Sequence, residues 1–191
     1  MNVIAIEVGL VTTRALCNNQ AIVLKNEPIS NTMQQTVTMI EKCLSYYHQN
    51  DYVLVVSVDF EVYSLGQDFN DLLIAKYPEI STVQVYPSGY GIIYTSGANY
   101  RMDTILVEVE EVGLHGTYYN MMVARDSKNI VTWFTPDDIR KLFGKACAKI
   151  VLYGAMSSCY DVVCTENNTY VIDDVWLNIK GLHKKGEIDI C

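Results

Sequence analysis

An unbroken apolar run, Val3-Ile-Ala-Ile, leads to Glu7 and turns at Gly9. Its lack of polar alternation predicts a strand buried on both faces. Thr12–Cys17 and Ala21–Leu24 follow, separated by the turn signal Asn18-Asn19, so the chain should open as a three-stranded meander. Asn31, with Gln34 three residues on, predicts a capped helix whose apolar positions are Met33, Val37, Ile40, Leu44 and Tyr47. Tyr52–Val58 is a β-branched strand of the buried type, after which Asp59 should cap a helix facing inward through Val62, Leu65, Phe69, Leu72 and Leu73. Thr82–Tyr86 predicts a fifth strand that stops at Pro87.

The pattern then recurs. Val3-Ile-Ala-Ile-Glu-Val-Gly-Leu-Val-Thr-Thr-Arg-Ala15 and Thr104-Ile-Leu-Val-Glu-Val-Glu-Glu-Val-Gly-Leu-His-Gly-Thr-Tyr118 share one design, an apolar strand with a carboxylate near its end and a glycine turn. Thr104–Val109, Tyr118–Ala124 and Ile130–Trp133 predict a second meander. Thr135-Pro-Asp-Asp138 is a strong helix start, with a capping threonine, proline at the first position and acids at the positive end of the helix dipole. Ile139, Leu142, Phe143 and Ala146 would form its buried face. Lys149–Tyr153 predicts the next strand, ended by Gly154, with a short helix over Ser157–Cys164 and a strand over Tyr170–Ile172. Two copies of a mixed α/β order imply two related lobes with a cleft between them. The break at Gly97-Ala98-Asn99 divides them into 1–98 and 99–191.

Composition narrows the function classes. Half of the residues are apolar, ample for a real core, and the formal charge of −8 opposes direct contact with nucleic-acid phosphates or an anionic membrane. No apolar run approaches the roughly 20 residues needed to span a bilayer. The start lacks the basic region of a secretion signal, so a cytoplasmic protein is expected. The six cysteines, Cys17, Cys43, Cys147, Cys159, Cys164 and Cys191, show no C-x-x-C spacing and read as reduced, mostly buried thiols. The three histidines form no cluster with them, so no metal site is expected.

Five segments, in order, resemble the actin-like ATPase superfamily. Glu7-Val-Gly-Leu-Val-Thr-Thr-Arg-Ala15 is similar to its first phosphate loop. Tyr86-Pro-Ser-Gly-Tyr-Gly-Ile-Ile-Tyr94 is similar to the segment leading into the second half. Leu106-Val-Glu-Val-Glu-Glu-Val-Gly113 stands where the second phosphate loop falls. Ile150-Val-Leu-Tyr-Gly-Ala-Met156 resembles the adenosine motif, and Val175-Trp-Leu-Asn-Ile-Lys-Gly-Leu-His183 the closing F-A-N-x-x-G of plasmid-segregation actins. The resemblance implies an α/β fold of two RNase H-like lobes with mixed five-stranded sheets flanked by helices. Relatives are usually much longer because each lobe carries an inserted subdomain, so a minimal member lacking those insertions is implied.

What the resemblance implies about chemistry depends on the departures. The nucleotide site would comprise Glu7, Gly9, Thr12, Thr13, Arg14, Glu108, Gly113, Gly154 and Ala155, with ATP and magnesium as the implied ligand. Glu7 and Glu108 stand where the family has metal-organising aspartates. Gly9, Thr12, Thr13 and Arg14 keep a phosphate-binding turn. Val109-Glu-Glu-Val112 replaces glycines that let backbone N–H groups approach phosphate, and Ala155 replaces a glycine of the base pocket. Like charges in a partly desolvated cleft oppose a triphosphate. No glutamine or aspartate stands out to position an attacking water, so no catalytic residue is assigned.

Local readings compete with these. Glu7 reads equally as a strand-end carboxylate, Arg14 as solvent-facing or acid-paired, Glu108, Glu110 and Glu111 as a solvated turn or interface, and His115 as a hydrogen-bonding or surface histidine. The expectation is therefore a compact actin-like protein with an eroded nucleotide site. It would act through protein contacts as a scaffold or assembly subunit, most simply as a homo-oligomer. The alternatives are an ATP-binding actin-like ATPase of plasmid or phage type, and an RNase H-like nuclease using Glu7, Asp59 and Glu108 around two metals.

Overall fold

β-branched residues run through β1 (Asn2–Val8) and β4 (Tyr52–Val58), and nearly every residue in both is buried. The structure, a computed structural model, describes residues 2–18, 20–27, 31–46, 51–95, 103–130, 135–157, 168–172 and 174–189. β1 pairs antiparallel with β2 (Thr12–Cys17), which pairs antiparallel with β3 (Gln20–Lys25). β1 also pairs parallel with β4, and β4 with β5 (Ile80–Pro87). The sheet order is β3-β2-β1-β4-β5.

One face of this sheet carries Ile4, Ile6, Leu54 and Val56. Met39, Ile40 and Cys43 of α1 (Thr32–Tyr46) pack there, with Phe69 and Leu73 of α3 (Gln67–Lys76). Asn31 caps α1, its Oδ1 accepting the Gln34 N–H at 2.9 Å. Asp59 caps the short α2 (Phe60–Ser64) through the Val62 N–H. The single helix expected after Asp59 is two, because Gly66 takes a left-handed φ of 59° between α2 and α3. That break rotates Leu65 and Leu72 outward, where they are 57% and 51% exposed rather than core.

The second sheet repeats the first. β6 (Thr104–Glu110) pairs antiparallel with β7 (Gly113–Asn120) and parallel with β9 (Lys149–Tyr153). β8 (Val123–Ile130) and β10 (Thr169–Val171) complete the order β10-β9-β6-β7-β8. Ile105, Val107, Ile150 and Leu152 form its core with Ile139 and Phe143 of α5 (Pro136–Phe143). Thr135 caps α5 as expected, and with Asp138 it forms a capping box. The expected strand Tyr118–Ala124 straddles a turn instead, since Met121 and Met122 adopt left-handed φ values of 50° and 66°. The strand expected over Ile130–Trp133 begins with the last residue of β8, and 131–134 lie outside the described residues, as do most of the helix expected over Ser157–Cys164 and the break at Gly97-Ala98-Asn99.

The chain divides into two compact units, Met1–Gly91 with Leu177–Cys191, and Ile92–Trp176. α4 (Tyr90–Thr95) begins where the first unit is left. The expected assignment of 99–191 to the second lobe is corrected at its end, because α6 (Leu177–Ile188) packs on β1, β4 and β2. Gly186 supplies the fit: a methyl group there would lie 2.8 Å from side-chain atoms of both Val3 and Val55. The first sheet is thus covered by α1 and α3 on one face and α6 on the other.

The thiols divide by burial. Cys17 and Cys43 are buried and Cys147 is exposed, while Cys159, Cys164 and Cys191 lie outside the described residues. Burial pushes the Cys17 thiol up to about 11 and the Cys43 thiol to about 12. Since the thiolate is the nucleophile, iodoacetamide at pH 8 should alkylate Cys147 in the native protein and reach Cys17 and Cys43 only in denaturant. Peptide mass spectrometry reads the order directly, and native labelling of Cys17 as fast as Cys147 would contradict this core.

Candidate functional site

Each unit holds half of the expected site, and the repeat places the halves equivalently. Glu7 is the last residue that β1 pairs with parallel β4, and Glu108 the last that β6 pairs with parallel β9. Across the antiparallel neighbour, Glu7 faces Arg14 and Glu108 faces His115. Burying a carboxylate is costly unless it is paired or hydrogen-bonded, and the first unit meets that requirement internally. Glu7 is 3% exposed, and its Oε1 accepts the Asn178 Nδ2–H at 2.7 Å. Its Oε2 lies 3.7 Å from the Arg14 guanidinium, which is itself buried. Of the two readings of Arg14, solvent-facing or acid-paired, the second is the structure's.

The turn after Glu7 is held by a backbone bond and by the Asn26 side chain. The Gly9 N–H donates to the Thr12 carbonyl at 3.1 Å, and Asn26 Nδ2 donates to the Gly9 carbonyl at 2.7 Å. Asn26 Oδ1 accepts the Thr13 hydroxyl, also at 2.7 Å. Thr12 Oγ1 is buried with no hydrogen-bond partner among the described residues. Beside the turn, Thr13 and Asn26 line an open cavity of about 290 Å³ with Leu24, Lys25, Glu27, Gln34, Gln35 and Thr38. Leaving a buried hydroxyl unsatisfied costs about 1–3 kcal/mol, so Thr12 is suited to a ligand oxygen.

In the second unit Glu108 and Glu110 lie on the same face of β6 and are 3% and 4% exposed. The reading of both as a solvated turn is therefore corrected; only Glu111, in the two-residue turn to Gly113, is exposed. Glu110 Oε1 accepts the Ala155 N–H at 3.4 Å. Gly154 has a φ of 107°, and a Cβ there would lie 2.7 Å from the Val109 carbonyl oxygen and 3.4 Å from Glu110 Oε1. The geometry thus joins the segments of Glu108–Gly113 and Gly154–Ala155. His115 Nδ1 lies 2.7 Å from Asn129 Oδ1, while His115 Nε2 and Thr117 Oγ1, on the same face, are buried without a partner among the described residues.

The residues missing from the sequence-derived site are Asn26, Asn178 and His115. Asn178 had a signal, as the asparagine of the closing motif; its role appears only when α6 returns to β1. Asp59, a candidate in the nuclease alternative, has both carboxylate oxygens engaged: its Oδ1 caps α2 and its Oδ2 accepts the Thr32 hydroxyl. Among the described residues no group of three His, Cys, Asp or Glu side chains is placed to hold a metal ion. No helix among them is long and apolar enough to cross a membrane.

No protein-family model matches the sequence, and no curated protein matches it. Solved structures do resemble it. The chain is similar to the Alp12 filament, with a TM-score of 0.68 at 8% identity over 100% of this chain and 99% of that one. It is similar to the AlfA filament from the B. subtilis plasmid pLS32, with a TM-score of 0.64 at 12% identity over 97% and 99%. A non-polymerising MamK mutant bound to AMPPNP gives 0.60 at 10% over 97% and 98%. At such identities the likeness is one of fold.

Proposed function

We propose, from the premise that this chain has the actin-like ATPase fold, that it is a self-assembling actin-like protein of the plasmid-segregation type whose Gly9–Arg14 turn binds ATP. The observation that carries the reading is the end-to-end likeness to two filament structures and to a protein with AMPPNP bound. The turn fits a phosphate, because Thr12 offers a buried hydroxyl without a partner among the described residues, and its strand neighbour Thr13 lines an open cavity on the opposite face. It fits magnesium poorly, because Arg14 and Asn178 already engage the Glu7 carboxylate. The reading is therefore one of binding and assembly, with no hydrolytic step assigned.

A ligand specific to the native state stabilises by about 2.7 kcal/mol at 100 times its Kd, which for a chain of this size corresponds to roughly 5–10 °C in Tm. Millimolar ATP should produce a shift of that order, nearly unchanged by EDTA, and Thr13→Arg should abolish it. Pelleting by ultracentrifugation should rise with ATP. No shift together with no self-association would overturn the reading.

A second reading is favoured by the internal engagement of the carboxylates, Glu7 by Arg14 and Asn178, Glu110 by Ala155. In it the polar network replaces the nucleotide, and the protein is an assembly subunit or scaffold independent of ATP. Equal pelleting with and without ATP, and no thermal shift, would select it.

A further inference from the structure

Among the described residues, four strand edges border the two sheets, and three are blunted in the ways that prevent edge-to-edge pairing. β8 carries Arg125, Asp126 and Lys128 and has a register shift against β7. β5 has a register shift against β4, ends at Pro87 and is packed by α2 and α3. β10 is three residues long. β3 has only one of these protections, the charge of Lys25 at its end. Its sequence Gln20-Ala-Ile-Val-Leu-Lys25 contains no proline and no acid, and it pairs with β2 over its full length without a shift.

The direction of its free backbone groups follows from the register. Asn26 N–H donates to the Val11 carbonyl at 2.8 Å. Because hydrogen-bonded positions alternate along an antiparallel pair, Leu24, Ile22 and Gln20 also point toward β2. The N–H and C=O groups of Ala21, Val23 and Lys25 therefore point away from the sheet, and among the described residues no strand pairs with them. All three residues are exposed, Val23 by 50%.

We propose that the outer edge of β3 is a self-association surface whose partner is β3 of a second copy, paired antiparallel with Val23 on the two-fold axis. The register is self-complementary. Ala21 faces Lys25 of the other copy, so the outward groups of all three odd positions are satisfied on both strands. Ile22 faces Leu24 of the other copy in close non-hydrogen-bonded pairs, and both residues already pack against the core of their own sheet. No two like charges stand opposite each other, despite the net charge of −8. The result is one continuous ten-stranded sheet made from two five-stranded ones. This rests on the self-assembly part of the proposed function and not on ATP.

Val23→Pro and Val23→Lys test it. The Val23 N–H makes no bond to β2, so proline removes no bond of the existing ladder; lysine places two cations across the axis. Far-UV circular dichroism and thermal melts should match the parent chain, while sedimentation equilibrium should show association at least tenfold weaker in both variants. Val23→Cys should form an intermolecular disulfide on mild oxidation that maps to position 23 on both chains. Parent-like association in both proline and lysine variants overturns the inference and leaves the assembly reading standing. A strictly monomeric parent chain overturns both.

Discussion

Gly91→Ala is expected to destabilise the first unit by more than about 3 kcal/mol, the range of severe overpacking. A methyl group at Gly91 would lie 1.9 Å from the Asn178 carbonyl oxygen and 2.8 Å from its carbonyl carbon. The facing glycine has the same constraint, since a Cβ at Gly181 would lie 2.2 Å from the Gly91 carbonyl oxygen. Both obstacles are backbone, so no rotamer change relieves them. Two other alanine substitutions calibrate the effect. At Gly186 the added methyl meets the Cγ atoms of the buried Val3 and Val55, stiff side chains but not backbone, and at Gly66 it meets nothing within 4 Å and adds only the strain of a positive φ, about 1–3 kcal/mol. Urea unfolding should rank the losses Gly91→Ala, then Gly186→Ala, then Gly66→Ala. A Gly91→Ala chain as stable as the parent would show that α4 and α6 do not meet backbone to backbone.

That contact explains why two segments far apart in the chain carry small residues. Gly91 belongs to the segment after Pro87 and Gly181 to the closing motif. Asn178, one turn before Gly181, donates to Glu7 and accepts the Gly91 N–H at 2.8 Å. In the sequence these were three separate likenesses to one superfamily. In the fold they are one cluster at the end of β1, where the chain leaves the first unit and returns to it.

The strands most legible in the sequence were those buried on both faces. Tyr52–Val58 and Lys149–Tyr153 coincide with β4 and β9, since continuous apolar runs bounded by polar residues leave little choice of limits. The β7–β8 turn was not legible. Asn120-Met-Met-Val123 carries apolar residues where a hairpin turn favours Asn-Gly, and Met121 is 65% exposed. Tertiary pairing of β7 with β8 overrides the local signal there. The break at Gly66 was missed because Leu65 and Leu72 continue a helical period that the chain does not use. In the site, Glu7 and Glu108 were found by their recurrence, but the register partner of each, Arg14 and His115, follows only from strand pairing. The burial of Glu110 was not legible either: Glu110-Glu-Val-Gly113 reads as a solvated turn, whereas Glu110 is the last residue of β6, buried along its whole length, and only Glu111 lies in the exposed turn.

Arg14→Met should cost about 3–5 kcal/mol, because it withdraws the cation from a carboxylate that remains buried. The Glu7 and Arg14 side chains are 4% and 7% exposed on the face that α6 covers, so water cannot replace the guanidinium without lifting that helix. Glu7→Gln alone should cost a similar amount, because the amide oxygen can still accept the Asn178 N–H but the Arg14 guanidinium stays buried without that carboxylate. Combining the two changes removes the buried charge from both partners and should return much of the lost stability, giving a coupling energy of about 2 kcal/mol or more in a double-mutant cycle. Salt separates this from a surface effect. An exposed pair weakens as the Debye length falls to about 3 Å at 1 M, whereas coupling between Glu7 and Arg14 should persist there. Additive single costs, or a coupling that disappears in high salt, would mean that Glu7 is held by Asn178 and neighbouring donors alone, and would return the carboxylate to the pool of groups available to a bound cation.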